Sequence, residues 1–261
     1  MKNEMSGQMY GTDSVKQSFS KETYELWYPY LSSLDESDWY LESADMGWYL
    51  KTPFYVCSNF ESDNHKDMKR YVSTAQHKMN EYHRIVCNKD SDINSIYTAI
   101  CFVEKWKRET YLLRYLQTFN IERFGDDEVW ELISDIWSNN EFPCHSYVAR
   151  TAWKKIFKIR PRPKSLVSHL PDVMTVYRGG HPEGFAWTSS KKTAEQFHQR
   201  NSLWSFEDDQ NFLCQRTITR DEVAFTDGSD LDVDYCENEI VLFPHTDWSK
   251  NIILKDNYYQ R

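Results

Sequence analysis

Apolar positions along this chain follow two different periods, and the change falls near Pro171. From Asn64 onward, Met68, Val72, Ala75, Met79, Tyr82 and Val86 recur at spacings of three and four, which puts their side chains on one helical face. Asp63 or Asn64 stands where an N-cap belongs. A second helix is predicted from about Asp92 through Ile96, Ile100, Val103, Lys107 and Leu112 toward Phe119, with Gly125 ending it. Val129, Leu132, Ile133, Ile136 and Trp137 form a third stripe behind Asp126, Asp127 and Glu128, acids that suit a helix N-terminus. A fourth helix is predicted over about 146–159, with Val148, Ala152, Ile156 and Ile159 as its stripe, stopped by Pro161 and Pro163. Residues 1 to about 62 are acidic and aromatic-rich, and both helix and loop fit them.

After Pro171 the apolar runs become short and β-rich: Val173 to Arg178, Phe185 to Ser189, Phe212 to Thr219, Glu222 to Phe225, Glu239 to Phe243 and Asn251 to Leu254. Only Lys191 to Arg200 reads as helix there, with Thr193, Ala194, Phe197 and His198 close to one side. Helices followed by strands predict an α+β protein with segregated layers. The expected domains are a helical, aromatic-rich N-terminal region over 1–145 and a β-rich domain over 146–261.

Composition narrows the function classes. The 261-residue chain carries a net charge of −9, which argues against blanket attraction to nucleic acid or anionic membranes. One stretch runs the other way: Lys154, Lys155, Lys158, Arg160, Arg162 and Lys164 are interrupted by no acid. It reads either as a solvated helix end or as a groove for phosphates. Six cysteines (Cys57, Cys87, Cys101, Cys144, Cys214 and Cys236) form no C-x-x-C pair, and reduced thiols are the expectation. Cys144-His145 is the only adjacent pair, so no metal site is expected. The chain has no long apolar span and no signal-like N-terminus, so a cytoplasmic location is expected.

Candidate chemistry lies in the last hundred residues. Glu237 and Glu239 stand two apart at the mouth of an apolar run, on one face if that run is a strand. Like charges on one face cost folding energy but suit chemistry at an electron-poor sugar carbon. Upstream, Arg178 offers a planar fork of donors for phosphate or carboxylate. Gly179 and Gly180 behind it would let a ligand approach the backbone. Between these elements, Phe185-Ala186-Trp187-Thr188-Ser189 reads as a hydroxyl-bearing strand, and Ser189 or Ser190 equally fits a helix cap.

Together, Val176-Tyr177-Arg178-Gly179-Gly180, then Phe185-Ala186-Trp187-Thr188-Ser189 leading into Thr193-Ala194-Glu195-Gln196-Phe197, then Glu237-Asn238-Glu239-Ile240-Val241 resemble the ADP-ribosyltransferase family. The likeness is to the arm carrying Arg, Ser-Thr-Ser and Glu-X-Glu, and to its bacterial and phage-associated toxin-like branch. It covers roughly residues 150–261. It implies a helical N-terminal half packed on a split β-sandwich of two small antiparallel sheets, with NAD bound as substrate in the cleft and no metal. Arg178 would hold the diphosphate or adjoining ribose, with Gly179, Trp187, Thr188, Ser189 and Phe197 contributing to the NAD site. Glu239 would bond the nicotinamide-ribose hydroxyl and Glu237 would serve the attacking nucleophile. Tyr235 occupies the place of the acceptor-recognising turn. The implied activity is mono-ADP-ribosylation of a macromolecule, a protein arginine first, with RNA or DNA open through the 154–164 stretch. A toxin or phage-defence effector, with an inhibitor or antitoxin partner, would fit. Ala186 departs from the pattern, because the family's central strand usually begins with serine. The register Trp187-Thr188-Ser189 instead keeps a final serine. With that serine absent, an NAD glycohydrolase or a non-catalytic binding module of the same fold remains a rival.

Overall fold

The computed structural model describes residues 9–10, 40–44, 47–51, 54, 65–119, 121–140, 143–144, 146–203, 211–227, 239–244 and 251–255. Among them the protein is mixed α and β, with an antiparallel six-stranded sheet and a smaller three-stranded one. Its packing divides into two compact units, residues 1–111 and 112–261.

The first unit opens with β1 (Met9–Tyr10), β2 (Tyr40–Ala44) and β3 (Gly47–Lys51), paired in that order. Strands therefore form where sequence periodicity left helix and loop open; Tyr40, Trp48 and Tyr49 have the β-preference of large aromatic side chains. Helix α1 (His65–Val86) follows, and then α2 (Ile93–Cys101), which Asp92 caps by accepting the Ser95 N–H at 2.8 Å. Asp63 and Asn64, the expected caps of α1, lie outside the described residues.

The single helix expected from Asp92 to Phe119 is broken after Cys101, and α3 (Arg108–Thr118) begins afresh. Val103 explains the break. It leaves the helix to bridge Phe54 and is fully buried there. Arg108 then reaches back to satisfy the freed carbonyls, donating to Val103 O at 3.0 Å and Cys101 O at 3.2 Å. Phe54, Tyr82 and Tyr111 close this core edge to face, with centroids 5.4–5.8 Å apart.

The second unit holds the end of α3, α4 (Asp126–Ser138), α5 (Tyr147–Ile156) and the large sheet with its helix α6 (Lys191–Leu203). Helix α4 carries the expected stripe, and all of Val129, Leu132, Ile133, Ile136 and Trp137 are buried. In α5 the stripe differs from the expectation: Val148 is exposed, and Ala149, Ala152, Trp153 and Ile156 point inward. Ser146 sets this phase by capping the helix through the Ala149 N–H at 3.1 Å.

The sheet strands are β4 (Val173–Gly180), β5 (Ala186–Thr188), β6 (Phe212–Thr219), β7 (Val223–Asp227), β8 (Glu239–Leu242) and β9 (Ile252–Lys255), ordered β7-β8-β5-β4-β6-β9. Strand β4 pairs with β6 along its whole length, but it meets β5 at one register position, Tyr177 opposite Thr188. One face carries an apolar cluster of Val167, Val176, Trp187, Cys214, Ile218, Val223, Ile240 and Leu242. Helix α6 lies against β4, β5 and β6 with Ala194 and His198 buried. Gly179 makes that approach possible: a Cβ there would stand 2.1 Å from Ala194 O and 2.3 Å from His198 N.

Glu109, at the start of α3, is 1% exposed, and burial pushes its carboxyl from an ordinary 4.5 up to about 7. A raised folded-state value means stability that is full below the unfolded value and declines as pH rises through 7. Between pH 4.5 and 8 this group is expected to withdraw about 2–3 kcal/mol. Thermal melts of wild type and Glu109→Gln across that range check it: the wild-type midpoint should fall more steeply than the variant's, and parallel curves would refute it.

Candidate functional site

Strand register assembles the site. Thr188 is the partner of Tyr177 on one side and of Glu239 on the other. Directly opposed residues share a face, so Tyr177, Thr188 and Glu239 stand in a row across three strands. Their neighbours Val176, Trp187 and Ile240 belong to the apolar cluster of the opposite face. Thr188 is 4% exposed, and its hydroxyl accepts the Ser190 N–H at 3.1 Å. Ser190 in turn accepts the Thr193 N–H at 3.2 Å. Of the two serines, then, Ser190 caps α6, while Ser189 is exposed beside it.

Glu239 is half-buried at the first position of β8. Its Oε2 accepts the indole N–H of Trp137 at 2.9 Å. Trp137 comes from α4 and is 1% exposed, with Trp153 at 4.8 Å, Phe157 at 5.9 Å and Phe225 at 6.0 Å around its ring.

Arg178 lies one residue beyond the Tyr177–Thr188 pair, where the β4–β5 ladder has ended. Its Nε donates to His181 O at 2.7 Å, and a terminal nitrogen donates across to Ala186 O on β5. The guanidinium rests on Gly184, where a Cβ would meet it at 1.9 Å. Burial lowers the guanidinium's pKa, and the neighbouring Cys144, Cys214 and Glu239 partly restore it while Arg150 opposes them. Cys144 feels the same groups: burial pushes its thiol up to about 11, Glu239 adds to the rise, and Arg178 and Arg150 act against it. Arg178, Arg150, Cys144 and Glu239 thus form one electrostatic neighbourhood. Arg150 is tied into it by donating to Cys144 O at 3.4 Å.

Register brings Thr188 and Glu239 together with Tyr177. Arg178, the partner of Cys214, alternates to the face of Val176 and Trp187, and only its electrostatic interaction with Glu239 links it to that row. Trp187 is 2% exposed in the core of that second face, its indole N–H donating to Gly184 O at 3.0 Å. Gly179, expected to face ligand, has the backbone of α6 on the side where a Cβ would stand. Phe197 is half-buried on α6, with the Arg200 guanidinium 4.6 Å from its ring centre. Glu237 and Tyr235 lie outside the described residues. In the basic stretch Arg160 is engaged, donating to Ile121 O at 3.0 Å and lying 3.4 Å from Asp126. Lys155, Lys158 and Lys164 are exposed.

Sequence reading missed Trp137, Cys144 and Arg150. Trp137 read as helix core, which it also is, and nothing in local spacing ties it to a strand so far along the chain. Cys144 drew notice only as a neighbour of His145. Among the described residues no group of three His, Cys, Asp or Glu side chains is placed to hold a metal ion, and no helix is long and apolar enough to cross a membrane.

With a pKa near 11, roughly one Cys144 in a thousand is thiolate at pH 8. Mass-spectrometric mapping of iodoacetamide labelling at pH 8 should therefore find exposed Cys87 modified well before Cys144. Equal rates would contradict the environment described. No family model, curated protein or solved structure matches this chain, so its site is read from its own residues and geometry.

Proposed function

We propose that the chain is a mono-ADP-ribosyltransferase that cleaves NAD and passes ADP-ribose to a macromolecular acceptor. One observation carries the reading: Thr188 pairs with Glu239 on one side and with Tyr177, the residue before Arg178, on the other, so the three distant segments of the resemblance lie on adjacent strands. The sheet's order supports it, since the single β4–β5 pair marks a natural division into β7-β8-β5 and β4-β6-β9. We read that division as the split between two small antiparallel sheets.

The donor set suits a dinucleotide. Arg178 and Arg150 supply cations for a diphosphate, and Glu239 supplies a carboxylate for a ribose. As nicotinamide leaves, positive charge develops on the ribose, and a fixed carboxylate favours that state over the ground state. Glycosidases meet the same kind of cation with the same side chain. Glu237 is assigned, from its place in Glu-X-Glu, to the attacking nucleophile. Tyr235 is assigned to the acceptor side. A protein arginine is the first candidate acceptor; the exposed Lys155, Lys158 and Lys164 favour nucleic acid as the second. A toxin or phage-defence effector is the setting that fits this activity.

Incubation with labelled NAD and cell extract, followed by protease or nuclease, tests the reading. Label removed by protease identifies protein acceptors, and label removed by nuclease identifies RNA or DNA. Free nicotinamide without macromolecular label would replace transfer with hydrolysis, and an intact NAD pool would refute the proposal. Glu239→Gln should lower turnover by roughly 10²–10⁴-fold, the scale for losing a charge-stabilising group. Glu237→Gln should spare NAD hydrolysis more than transfer; equal loss of both would remove its acceptor-side role.

A further inference from the structure

Four tryptophans are buried among the described residues: Trp130, Trp137, Trp153 and Trp187. Three of them spend their indole N–H on backbone carbonyls, Trp130 on Pro161 at 3.0 Å, Trp153 on Pro143 at 2.9 Å and Trp187 on Gly184 at 3.0 Å. Such bonds meet the general need of a buried indole for an acceptor. Trp137 instead donates to a carboxylate, Glu239 Oε2 at 2.9 Å.

The Trp137 ring has no room to turn. It is 1% exposed, and aromatic rings from α5, from Phe157 just after α5, and from β7 hold it. Its N–H direction is therefore set by packing. A glutamate has three side-chain torsions, and a bond to an immobile donor selects among their combinations. The donor is also chemically apt. Indole N–H donates without carrying charge, so it fixes the carboxylate and leaves its negative charge for a developing cation. A lysine or arginine in the same place would offset that charge.

Strand β5 does not supply an equivalent anchor at its first position. Ala186 has no hydroxyl and stands opposite Val241, one same-face position along β8 from Glu239. We propose that Trp137 is the positioning residue for the Glu239 carboxylate, supplying from a helix the orientation that alanine at 186 cannot. This rests on the reading of Glu239 as the group that faces the ribose cation, and it adds a residue from outside the resembling segment.

Two measurements test it. In protein labelled with 15N at tryptophan, Glu239→Gln should shift the indole N–H resonance of Trp137 and leave those of Trp130 and Trp153 in place. In kinetics, Trp137→Phe should lower kcat for NAD cleavage by roughly 10- to 100-fold, the scale of an ångström's misplacement of a reacting group. KM for NAD should rise by much less than kcat falls, because the arginines assigned to the diphosphate would be unchanged. If Trp137→Phe does not fold, 3-benzothienylalanine at position 137 removes the N–H while keeping the bicyclic shape, and the same kcat loss is expected. A resonance unmoved by Glu239→Gln would overturn the contact. Wild-type kcat in the folded variant would overturn the positioning role. A shifted resonance in a wild-type protein that leaves NAD intact would keep the contact and reject both the enzymatic reading and the role built on it.

Discussion

The second unit depends on how one arginine closes a gap in a sheet. Strands β4 and β5 meet at a single register position, so most of their facing backbone lacks a ladder. Buried peptide groups without partners are costly, and sheets seldom leave them unmet. Arg178 meets two of them from the side: it donates to His181 O in the β4–β5 connection and to Ala186 O on β5. Gly184 leaves room for the guanidinium, and Gly179 leaves room for α6 on the same strand. The sheet is thereby held together at its weakest junction by a side chain that carries charge. A cation at a sparsely paired junction is also an arrangement an anionic ligand could exploit, so one residue type answers a structural need and offers a chemical one.

The aromatic content has a related logic. Trp137, Trp153, Phe157 and Phe225 form a continuous cluster of tilted and edge-to-face rings that joins α4 and α5 to β7. Aliphatic side chains would bury comparable area, yet they would bring no polar atom to the rim. Indoles do both, and Trp137 extends a hydrogen-bond donor from the packed interior to Glu239. A carboxylate at the edge of an apolar cluster loses hydration, and a charge-assisted hydrogen bond offsets part of that loss. Stability and site geometry are thus fixed by the same ring.

Much of this was legible in the sequence, for reasons that can be named. The strands after Pro171 were visible because their apolar runs are short and β-rich, as at Val173 to Arg178, Phe185 to Ser189 and Glu239 to Phe243. Helix α4 was visible because five of its side chains, Val129, Leu132, Ile133, Ile136 and Trp137, are buried on one stripe behind an acidic first turn. The long helix through Val103 was misread because periodicity cannot register a bridge to Phe54. Val148 was misread because Val and Ala fit the same stripe until Ser146 fixes the helix phase. At the site, the pairing of Thr188 with Glu239 was legible because both stand on short β-rich runs whose order follows a pattern. Which face each side chain takes was not, since Arg178 alternates to the face of Trp187 and α6 packs on Gly179 only once the strands are in register. Trp137, Cys144 and Arg150 join through tertiary packing alone, which leaves no mark at any sequence spacing.

A final tension concerns charge. Arg178 interacts electrostatically with Glu239 and with Arg150, and burial disfavours its charged form. Charged side chains are thus gathered in partly desolvated surroundings. Such clusters are expensive when their only purpose is folding, because apolar side chains of similar size would fill the space at lower cost. Buried groups with perturbed ionisation gather at functional sites more often than elsewhere, and structural ion-pair networks perturb them too. Cys144 adds no charge to the group near neutral pH, because burial pushes its thiol up to about 11. The cost of gathering these charges at a sparsely paired junction is therefore the physical ground for testing that junction for an anionic ligand.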